Sequence, residues 1–361
     1  MEALCTLGLS PGELVPPVLA QLHEIVPSAR NLFDFCDTAG RLTHYYVEGP
    51  VDPDVAAHYF AEFHNRREAE CMPRFDSLAC APMGVRGAAS LETPGFYRSA
   101  LYNEVWRPQG LRSRIEAVLR DSSGGLQGSL VLYRGPGERA FDAQDEQTLA
   151  RLLPTIARGL ERGGPRADAY VEADEPAETL LLTLEGRVSH VSGGAARMLM
   201  LARGGELPVP GAHTLEALVS RHLPQIMGSL ARGEREGHFE LDSRFGRFRL
   251  RATLLKACVP GLEAGVLVRL CRMEPCSAAL VRGLDRLGLT PGQARVCRMV
   301  LEGASQAEIA GALGVAVSTV VDHVRKAYQG LDVHSVAELR ALLDRGPQKG
   351  AAGISPRPAD A

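Results

Sequence analysis

The chain has 361 residues, of which 45% are hydrophobic, a formal net charge of −3 and a mean hydropathy of −0.06. This length leaves room for two or three domains, and the composition is that of an ordinary soluble protein. The slightly negative net charge argues against a protein whose whole surface is basic and binds nucleic acid. Any nucleic-acid binding is therefore expected to be confined to one region of the chain. The longest apolar runs are too short to span a bilayer, and residues 1–11 lack the basic start and apolar core of a signal peptide. We therefore expect a cytoplasmic protein with no membrane partner.

Residues 1–160 alternate between helical and strand patterns and are expected to form the first domain. The pattern predicts helices over 14–26, 54–70, 96–106 and 141–160, and strands over 31–37, 42–48, 114–120 and 126–134. The last two strands are joined by the turn Ser122-Ser123-Gly124-Gly125, and the last helix leads out of the domain. An antiparallel sheet flanked by helices, with a long exit helix, resembles a GAF-type sensor domain.

A linker over 161–177, rich in Gly, Pro, Ala and acidic residues, separates this block from a second domain over 178–275. The second block is predicted to have strands over 180–184, 188–192, 238–242, 245–256 and 265–272, and helices over 194–201 and 214–232. Its opening, Leu182 to Val188 with the turn Glu185-Gly186-Arg187, resembles a PAS-type sensor domain. Both kinds of domain form a concave pocket between sheet and helices where a small-molecule ligand could sit. Residues 347–361 are expected to be disordered.

Four aromatic residues of the first block are candidates for lining such a pocket: Phe96, Tyr97, Tyr102 and Trp106. Their spacing suits a simple core face as well, and we favour that interpretation. Four histidines of the second block lack the spacing of metal ligands, so we expect no metal site: His190, His213, His222 and His238.

The eight cysteines are scattered, with no Cys-x-x-Cys pair, which is typical of small buried thiols in a reducing cytosol. A redox sensor formed by Cys36, Cys71 and Cys80 is the less favoured alternative. The chain has no Gly-rich phosphate loop, and we expect neither a cofactor nor an enzymatic activity. A reductase that uses Cys71 or Cys80 is a distant alternative.

Residues 283–346 carry the most specific pattern of the chain, that of four short helices. Thr290 to Gln293 and Ser305 to Glu308 are capping boxes, in which the first side chain and the last one each bond the other residue's backbone N–H. A third helix over 317–329 follows the turn at Gly314, with Val320, Val324 and Tyr328 facing inward. Two capped helices joined by a short Gly turn predict a helix-turn-helix, whose second helix enters the DNA major groove.

This region resembles the LuxR/GerE-type helix-turn-helix family in five motifs: Leu289-Thr290-Pro291, Glu302-Gly303, Glu308-Ile309-Ala310, Leu313-Gly314-Val315 and Thr319-Val320 through His323. The resemblance covers about the last sixth of the chain. It implies a four-helix fold, dimerisation through 335–343 and a recognition helix from about Ser318. It places base reading on Val321, Asp322 and Arg325, and phosphate contact on Thr319, Lys326 and Gln306. Val321 stands where the family usually has a basic residue, and Ala316 where it usually has a Ser or Thr cap.

Seven basic and seven acidic residues balance over 285–345, so we expect weak DNA binding by a monomer and a homodimer that supplies the missing affinity. The sequence as a whole predicts a multidomain α+β protein: two sensor-like antiparallel-sheet domains followed by an all-α four-helix helix-turn-helix domain. The predicted function is transcription regulation, in which the sensor domains control binding to double-stranded DNA. The alternative is a sensor and protein-interaction protein whose helix-turn-helix mainly dimerises.

Overall fold

The computed structural model of the chain describes residues 1–91, 93–207, 215–220, 222, 224, 226–228, 236–261 and 263–344. It divides into two compact units, Met1–Ala278 and Ala279–Ala361. In the described ranges no single helix is long and apolar enough to cross a bilayer. Two helices, Gln306–Leu313 and Val317–Leu331, meet that test only when they are counted together across a 109° bend. The predicted tail over 347–361 and much of the predicted helix over 214–232 lie outside the described residues.

The first unit contains two antiparallel sheets with helices packed around them. Its helices are α1 (Glu2–Cys5), α2 (Pro11–Ile25), α3 (Pro53–His58), α4 (Ala88–Leu91), α5 (Ala143–Glu161), α6 (Ala195–Ala202) and α7 (Leu215–Ser220). Its strands are β1 (Arg30–Cys36), β2 (Leu42–Val47), β3 (Gly84–Arg86), β4 (Ser113–Arg120), β5 (Leu126–Arg134), β6 (Tyr170–Glu172), β7 (Glu178–Thr183), β8 (Val188–Val191), β9 (Glu236–Ser243), β10 (Gly246–Leu255) and β11 (Gly265–Pro275). Two sheets followed by a helical unit confirm the predicted α+β fold class.

The first sheet has the strand order β2-β1-β5-β4-β3, and every neighbouring pair is antiparallel. Side chains alternate along a strand, so Leu32 and Asp34 of β1 point to one face of the sheet and Phe33 to the other. The register places Tyr45 of β2 and Ser129 of β5 on either side of Asp34. Asp34 therefore lies in the middle of one face of the sheet.

The predictions of continuous helices over 54–70 and 96–106 are wrong. Over 54–70 the chain forms α3, a π-helical turn at Tyr59–Phe63 and a 3₁₀ turn at Arg67–Glu70. Over 96–106 it forms a 3₁₀ turn at Phe96–Arg98 and a π-helical turn at Tyr102–Trp106. In the first segment the buried Glu68 carboxylate accepts the backbone N–H groups of Asn65 and Phe75, at 2.8 and 2.6 Å. Such side-chain bonds to the backbone compete with a regular helix.

The second sheet has the order β8-β7-β11-β10-β9, with β6 also paired to β11. Strand β6 lies inside the segment predicted as a linker, 161–177, and Glu175 of the same segment forms an ion pair of 2.5 Å with the buried Arg272. This segment is therefore packed against the second sheet. The division into sensor domains at 1–160 and 178–275 stays a prediction.

Strand β2 of the first sheet is in contact with the part of the unit that carries the second sheet. The backbone N–H of Tyr45 donates to the carbonyl of Gly205 at 3.1 Å, and the Tyr45 hydroxyl donates to the Met200 sulfur at 3.0 Å. The ring of Phe245 packs edge-on against Tyr46, with 5.2 Å between centroids. Through these contacts, strand β2 connects the first sheet to the part of the unit that carries the second sheet.

The described part of the second unit, up to residue 344, is built from helices. Helix α8 (Cys276–Asp285) contains the boundary between the units and is followed by α9 (Pro291–Leu301), α10 (Gln306–Leu313), α11 (Val317–Leu331) and α12 (Val336–Asp344). Two apolar clusters hold these helices together. One is centred on Cys297, Ala327 and Leu339, and the other on Ile309 and Val320, all fully buried. The four predicted helices after residue 289 are confirmed.

Candidate nucleic-acid interface and ligand cavity

Both predicted capping boxes are present, each at the first turn of its helix. At α9 the Thr290 N–H donates to Gln293 Oε1 at 2.9 Å, and the Gln293 N–H donates back to Thr290 Oγ1 at 3.4 Å. At α10 the corresponding bonds between Ser305 and Glu308 are 2.8 and 3.3 Å. Gly314 ends α10 in the left-handed region, at φ +65°, which a residue with a Cβ rarely adopts. These local interactions fix where α11 starts.

Helices α10 and α11 meet at a bend of 109°, within the range that is typical of a helix-turn-helix. Val320 of α11 is completely buried, and Val324 and Tyr328 pack against the apolar clusters, as predicted. Ala316 precedes α11 without a side-chain cap bond. The opposite side of α11 is therefore left to solvent.

The six predicted site residues all lie outside the core of the second unit. Thr319, Val321, Arg325 and Lys326 are exposed on α11, Asp322 is half-buried there, and Gln306 is exposed at the start of α10. Val321 is 42% exposed and Val317, one turn before it, is 45% exposed. The outer face of α11 thus combines apolar and charged side chains.

Three of these residues form an ion-pair cluster that the sequence did not predict. The Asp322 carboxylate lies 2.5 Å from Arg325 Nη2 and 2.7 Å from Lys326 Nζ. The bonds from Lys326 and Arg325 lower the pKa of Asp322 from its ordinary value, so it is ionised at neutral pH. The three side chains together carry a net charge of +1. The signal for the cluster was the i, i+3 and i, i+4 spacing from Asp322.

Helix α12, predicted to dimerise, also packs within its own unit. Leu339 is completely buried, and Arg340 Nη2 donates to the carbonyl of Leu301 at 2.6 Å, at the end of α9. Val336, at the start of α12, is 41% exposed.

The first unit contains a cavity of about 150 Å³ between the first sheet and the irregular segments that cover it. Six aromatic rings line it: Tyr45, Tyr59, Phe60, Phe75, Trp106 and Tyr133. Trp106 and Tyr133 are in edge-on contact, with 5.3 Å between centroids, and Tyr59 and Phe60 in the same way at 5.1 Å. The aromatic lining suits an apolar or aromatic ligand.

Two acidic side chains of the sheet also face this cavity, Asp34 and Glu116. Glu116 is held by Arg86 at 3.5 Å, by Arg114 at 3.9 Å and by the Ser129 hydroxyl at 3.1 Å. Asp34, by contrast, is 7% exposed, and none of the described residues forms a hydrogen bond with its carboxyl group, although Arg114 acts on it through its charge. Burial, and secondarily the charge of Glu116, raise the pKa of Asp34 to about 8.

His64, which also lines the cavity, carries no charge at neutral pH. Burial lowers the pKa of its imidazole to about 4, so the ring is neutral. The cavity is therefore lined by aromatic rings and by four charged side chains, Arg30, Asp34, Arg114 and Glu116.

Of the four aromatic residues singled out in the sequence, the structure places only Trp106 on the cavity. Phe96 is completely buried, and Tyr97 and Tyr102 pack against the core cluster that contains it. The core interpretation is confirmed for all four residues, and Trp106, a buried member of the same cluster, lines the cavity as well. Asp34 was missed because a single acidic residue in a strand gives no spacing signal.

Neither the histidines nor the cysteines form a recognisable reactive site. In the described part of the chain no group of three or more His, Cys, Asp and Glu side chains is placed to hold a metal ion, and His213 lies outside that part. All eight cysteines are free thiols. Burial raises the pKa of the Cys36 and Cys71 thiols, which disfavours the reactive thiolate.

Comparison with known families assigns the second unit. The sequence profile of the family "Bacterial regulatory proteins, luxR family" matches residues 287–343. The C-terminal domain is therefore a luxR-family helix-turn-helix, the class of DNA-binding domain found in bacterial transcription regulators. No curated protein matches the sequence significantly.

Solved structures give weaker similarities over longer stretches. SdiA of Escherichia coli is 12% identical, with 92% of this chain and 90% of that chain covered and a TM-score of 0.27. The Escherichia coli DhaR(N)–DhaL complex is 13% identical (74% and 86% covered, TM-score 0.25), and the Vibrio cholerae VqmA dimer is 18% identical (48% and 84% covered, TM-score 0.20). At TM-scores this low, none of these similarities supports a functional conclusion.

Proposed function

We propose that this protein regulates transcription by placing α11 in the major groove of double-stranded DNA, under the control of a ligand bound in its N-terminal unit. The observation that carries the proposal is a luxR-family domain whose third helix presents Val321, Arg325 and Lys326 on its solvent face. The proposal assigns no enzymatic activity and a cytoplasmic location.

The outer face of α11 supports a division of roles among its residues. The planar fork of Arg325 suits guanine, and the exposed Val321 suits the methyl group of thymine. Asp322 could accept a hydrogen bond from the amino group of cytosine once DNA phosphates take over its cations. Lys326, Thr319 and, at the start of α10, Gln306 would hold the backbone phosphates.

A homodimer completes the proposed DNA complex. Since Asp322 leaves the cluster on α11 with a net charge of +1, one subunit offers little phosphate neutralisation. Two subunits would double that contribution and read two half-sites. Helix α12, with the exposed Val336, is the surface we assign to the contact between subunits.

Control by a ligand is supported by the position of Tyr45. Its ring lines the cavity, while its hydroxyl donates to Met200 of α6 at 3.0 Å. A ligand that moves this ring would alter the contacts between the two sheets. We propose that occupancy of the cavity shifts the population of states in which the DNA-binding domains are presented to their half-sites.

Titrations of the full-length protein with DNA selected from a random library test the proposal. We expect Arg325→Ala to cost about 1–3 kcal/mol of binding free energy on the selected site and to relax base preference at one position per half-site. Lys326→Ala should weaken all DNA about equally and lower the salt slope by about one per subunit. The matched control is Arg295→Ala, which removes an exposed cation from α9 and should leave binding unchanged.

A protein-interaction role is the second candidate function, and the ion-pair cluster on α11 favours it. A helix whose two cations are already held by Asp322 is a weak ligand for phosphate. If Arg325→Ala and Lys326→Ala both bind DNA like the parent, α11 is not in the groove and the dimerising role is the better account.

A further inference from the structure

Asp34 has a central position on the first sheet and faces the cavity. It lies in the middle of β1, between Tyr45 and Ser129 of the neighbouring strands, and its side chain lines the cavity. A buried carboxyl group without a partner destabilises a fold, and native structures rarely keep one without a reason. Among the described residues, Glu116, Arg114 and Glu68 act on Asp34 through their charges, and none forms a hydrogen bond with its carboxyl group. The missing partner points to a molecule that enters from the cavity.

The charges around the cavity favour a cation as that molecule. Two arginines also line the cavity: Arg114 lies 3.9 Å from Glu116, and Arg30 donates to Gln109 at 3.1 Å. Since Arg86 also holds Glu116, Asp34 is the acid of the lining without an ion pair among the described residues. The aromatic rings add to this preference, because the faces of Trp and Tyr rings attract cations in desolvated sites. One such contact is already present, since the Arg114 guanidinium lies 5.3 Å from the centroid of Trp106.

We propose that the cavity binds a small organic ammonium ion, with its charged nitrogen at the Asp34 carboxylate and its apolar body against Tyr45, Tyr59 and Phe60. The proposal deepens the ligand control proposed above and rests on it for its regulatory meaning. A volume of about 150 Å³ is that of a cavity known to hold benzene, so the ligand carries about one ring or a comparable alkyl group.

The test uses the single tryptophan of the chain, Trp106, which lines the cavity and reports its occupancy by fluorescence. Full-length protein is titrated at about pH 8.5, above the pKa of about 8 that burial gives Asp34, so that its carboxyl group is largely ionised. The three ligands are benzylamine, the neutral benzyl alcohol of the same shape, and benzoate. A charge-assisted hydrogen bond predicts that benzylamine saturates at a concentration about tenfold lower than benzyl alcohol does, and that benzoate gives the weakest response.

Two variants separate the charge of Asp34 from a general effect of the substitution. Asp34→Asn should remove the preference for the amine and leave the affinity for benzyl alcohol within about threefold of the parent's. Asp54→Asn makes the same isosteric change at an exposed residue of α3 and should keep the preference. Thermal unfolding checks that both variants are folded, and the amine-to-alcohol comparison on the unchanged protein needs no variant.

Equal affinities for amine and alcohol, tighter binding of benzoate, or no saturable response to any of the three would overturn the amine proposal. An undiminished preference in folded Asp34→Asn would overturn the role of Asp34. The ligand titrations are carried out without DNA, and the DNA titrations described above are carried out without amine. Failure of the ligand proposal is thus distinguishable from failure of the proposed DNA-binding function.

Discussion

The unpartnered carboxyl group of Asp34 predicts a substitution that stabilises the protein at neutral and alkaline pH. The pKa of Asp34 in the folded protein is about 8, against about 3.9 in an unfolded chain. Between these values the folded state keeps a proton that the unfolded state has lost. The free energy of unfolding therefore falls as the pH rises, until the pH passes the folded pKa.

The size of this effect follows from the linkage between proton binding and unfolding. Each pH unit in the window lowers the free energy of unfolding by about 1.4 kcal/mol, which makes about 4 kcal/mol between pH 5 and pH 8. Asparagine does not titrate, so Asp34→Asn escapes this loss, although its buried amide without partners costs about 1–3 kcal/mol at every pH. We expect the variant to be no more stable than the parent near pH 5 and more stable at pH 8.

Urea unfolding followed by Trp106 fluorescence measures this difference for the first unit. Other ionisable groups face Asp34 from the elements around the cavity: Glu116 and Arg114 on β4, Tyr45 on β2, Tyr133 on β5, and Tyr59, His64 and Glu68 on the covering segments. They are present in both proteins, so their titration cancels in the comparison to first order. A difference that stays constant within about 0.5 kcal/mol from pH 5 to pH 8 would refute the reasoning.

Three further predictions concern single side chains. Asp145→Asn breaks a buried pair with Arg134 (2.8 Å) and should lower the free energy of unfolding by about 3–5 kcal/mol. The pKa of Asp145 in the folded protein is lowered to about 2, so the parent should keep this stabilisation above about pH 4 and lose it as the pH falls towards 2. Urea titrations of both proteins over this range measure the loss. The same dependence of unfolding free energy on pH in parent and variant would contradict the prediction. Ala316→Ser supplies the missing cap of α11 and should stabilise the second unit by about 1 kcal/mol; an unchanged or lower thermal midpoint of that unit would count against it. Asp322→Asn releases Arg325 and Lys326 from their ion pairs and should steepen the salt dependence of non-specific DNA binding by about one per subunit. The same salt dependence in parent and variant would show that these two cations do not contact phosphate.

The sequence predicts the helix-turn-helix well because its determinants are local. The capping box at Ser305 and Glu308 spans three residues, and the inward face of α11 repeats at helical spacing. Both can be recognised without knowing what else the chain contacts. The pairing of Asp322 with Arg325 and Lys326 is also local, but its consequence for the charge of the exposed face is seen only once that face is placed.

The cavity could not be predicted, because non-local contacts create it. Tyr45 and Asp34 become neighbours through strand pairing, and Trp106 reaches them from a segment some sixty residues further on. The same contacts explain the failed helix predictions over 54–70 and 96–106. There, Glu68 bonds to the backbone and rings such as Tyr59 point into the cavity, which outweighs the helical preference that the spacing suggests.

The most direct test of DNA binding through α11 is a genome-wide map of DNA bound by the full-length protein, made in parallel with the double variant Arg325→Ala, Lys326→Ala. We predict discrete sites for the parent that share a motif of two half-sites, and their loss in the double variant at equal protein level. No discrete sites for the parent, or the same sites for both proteins, would contradict binding through α11.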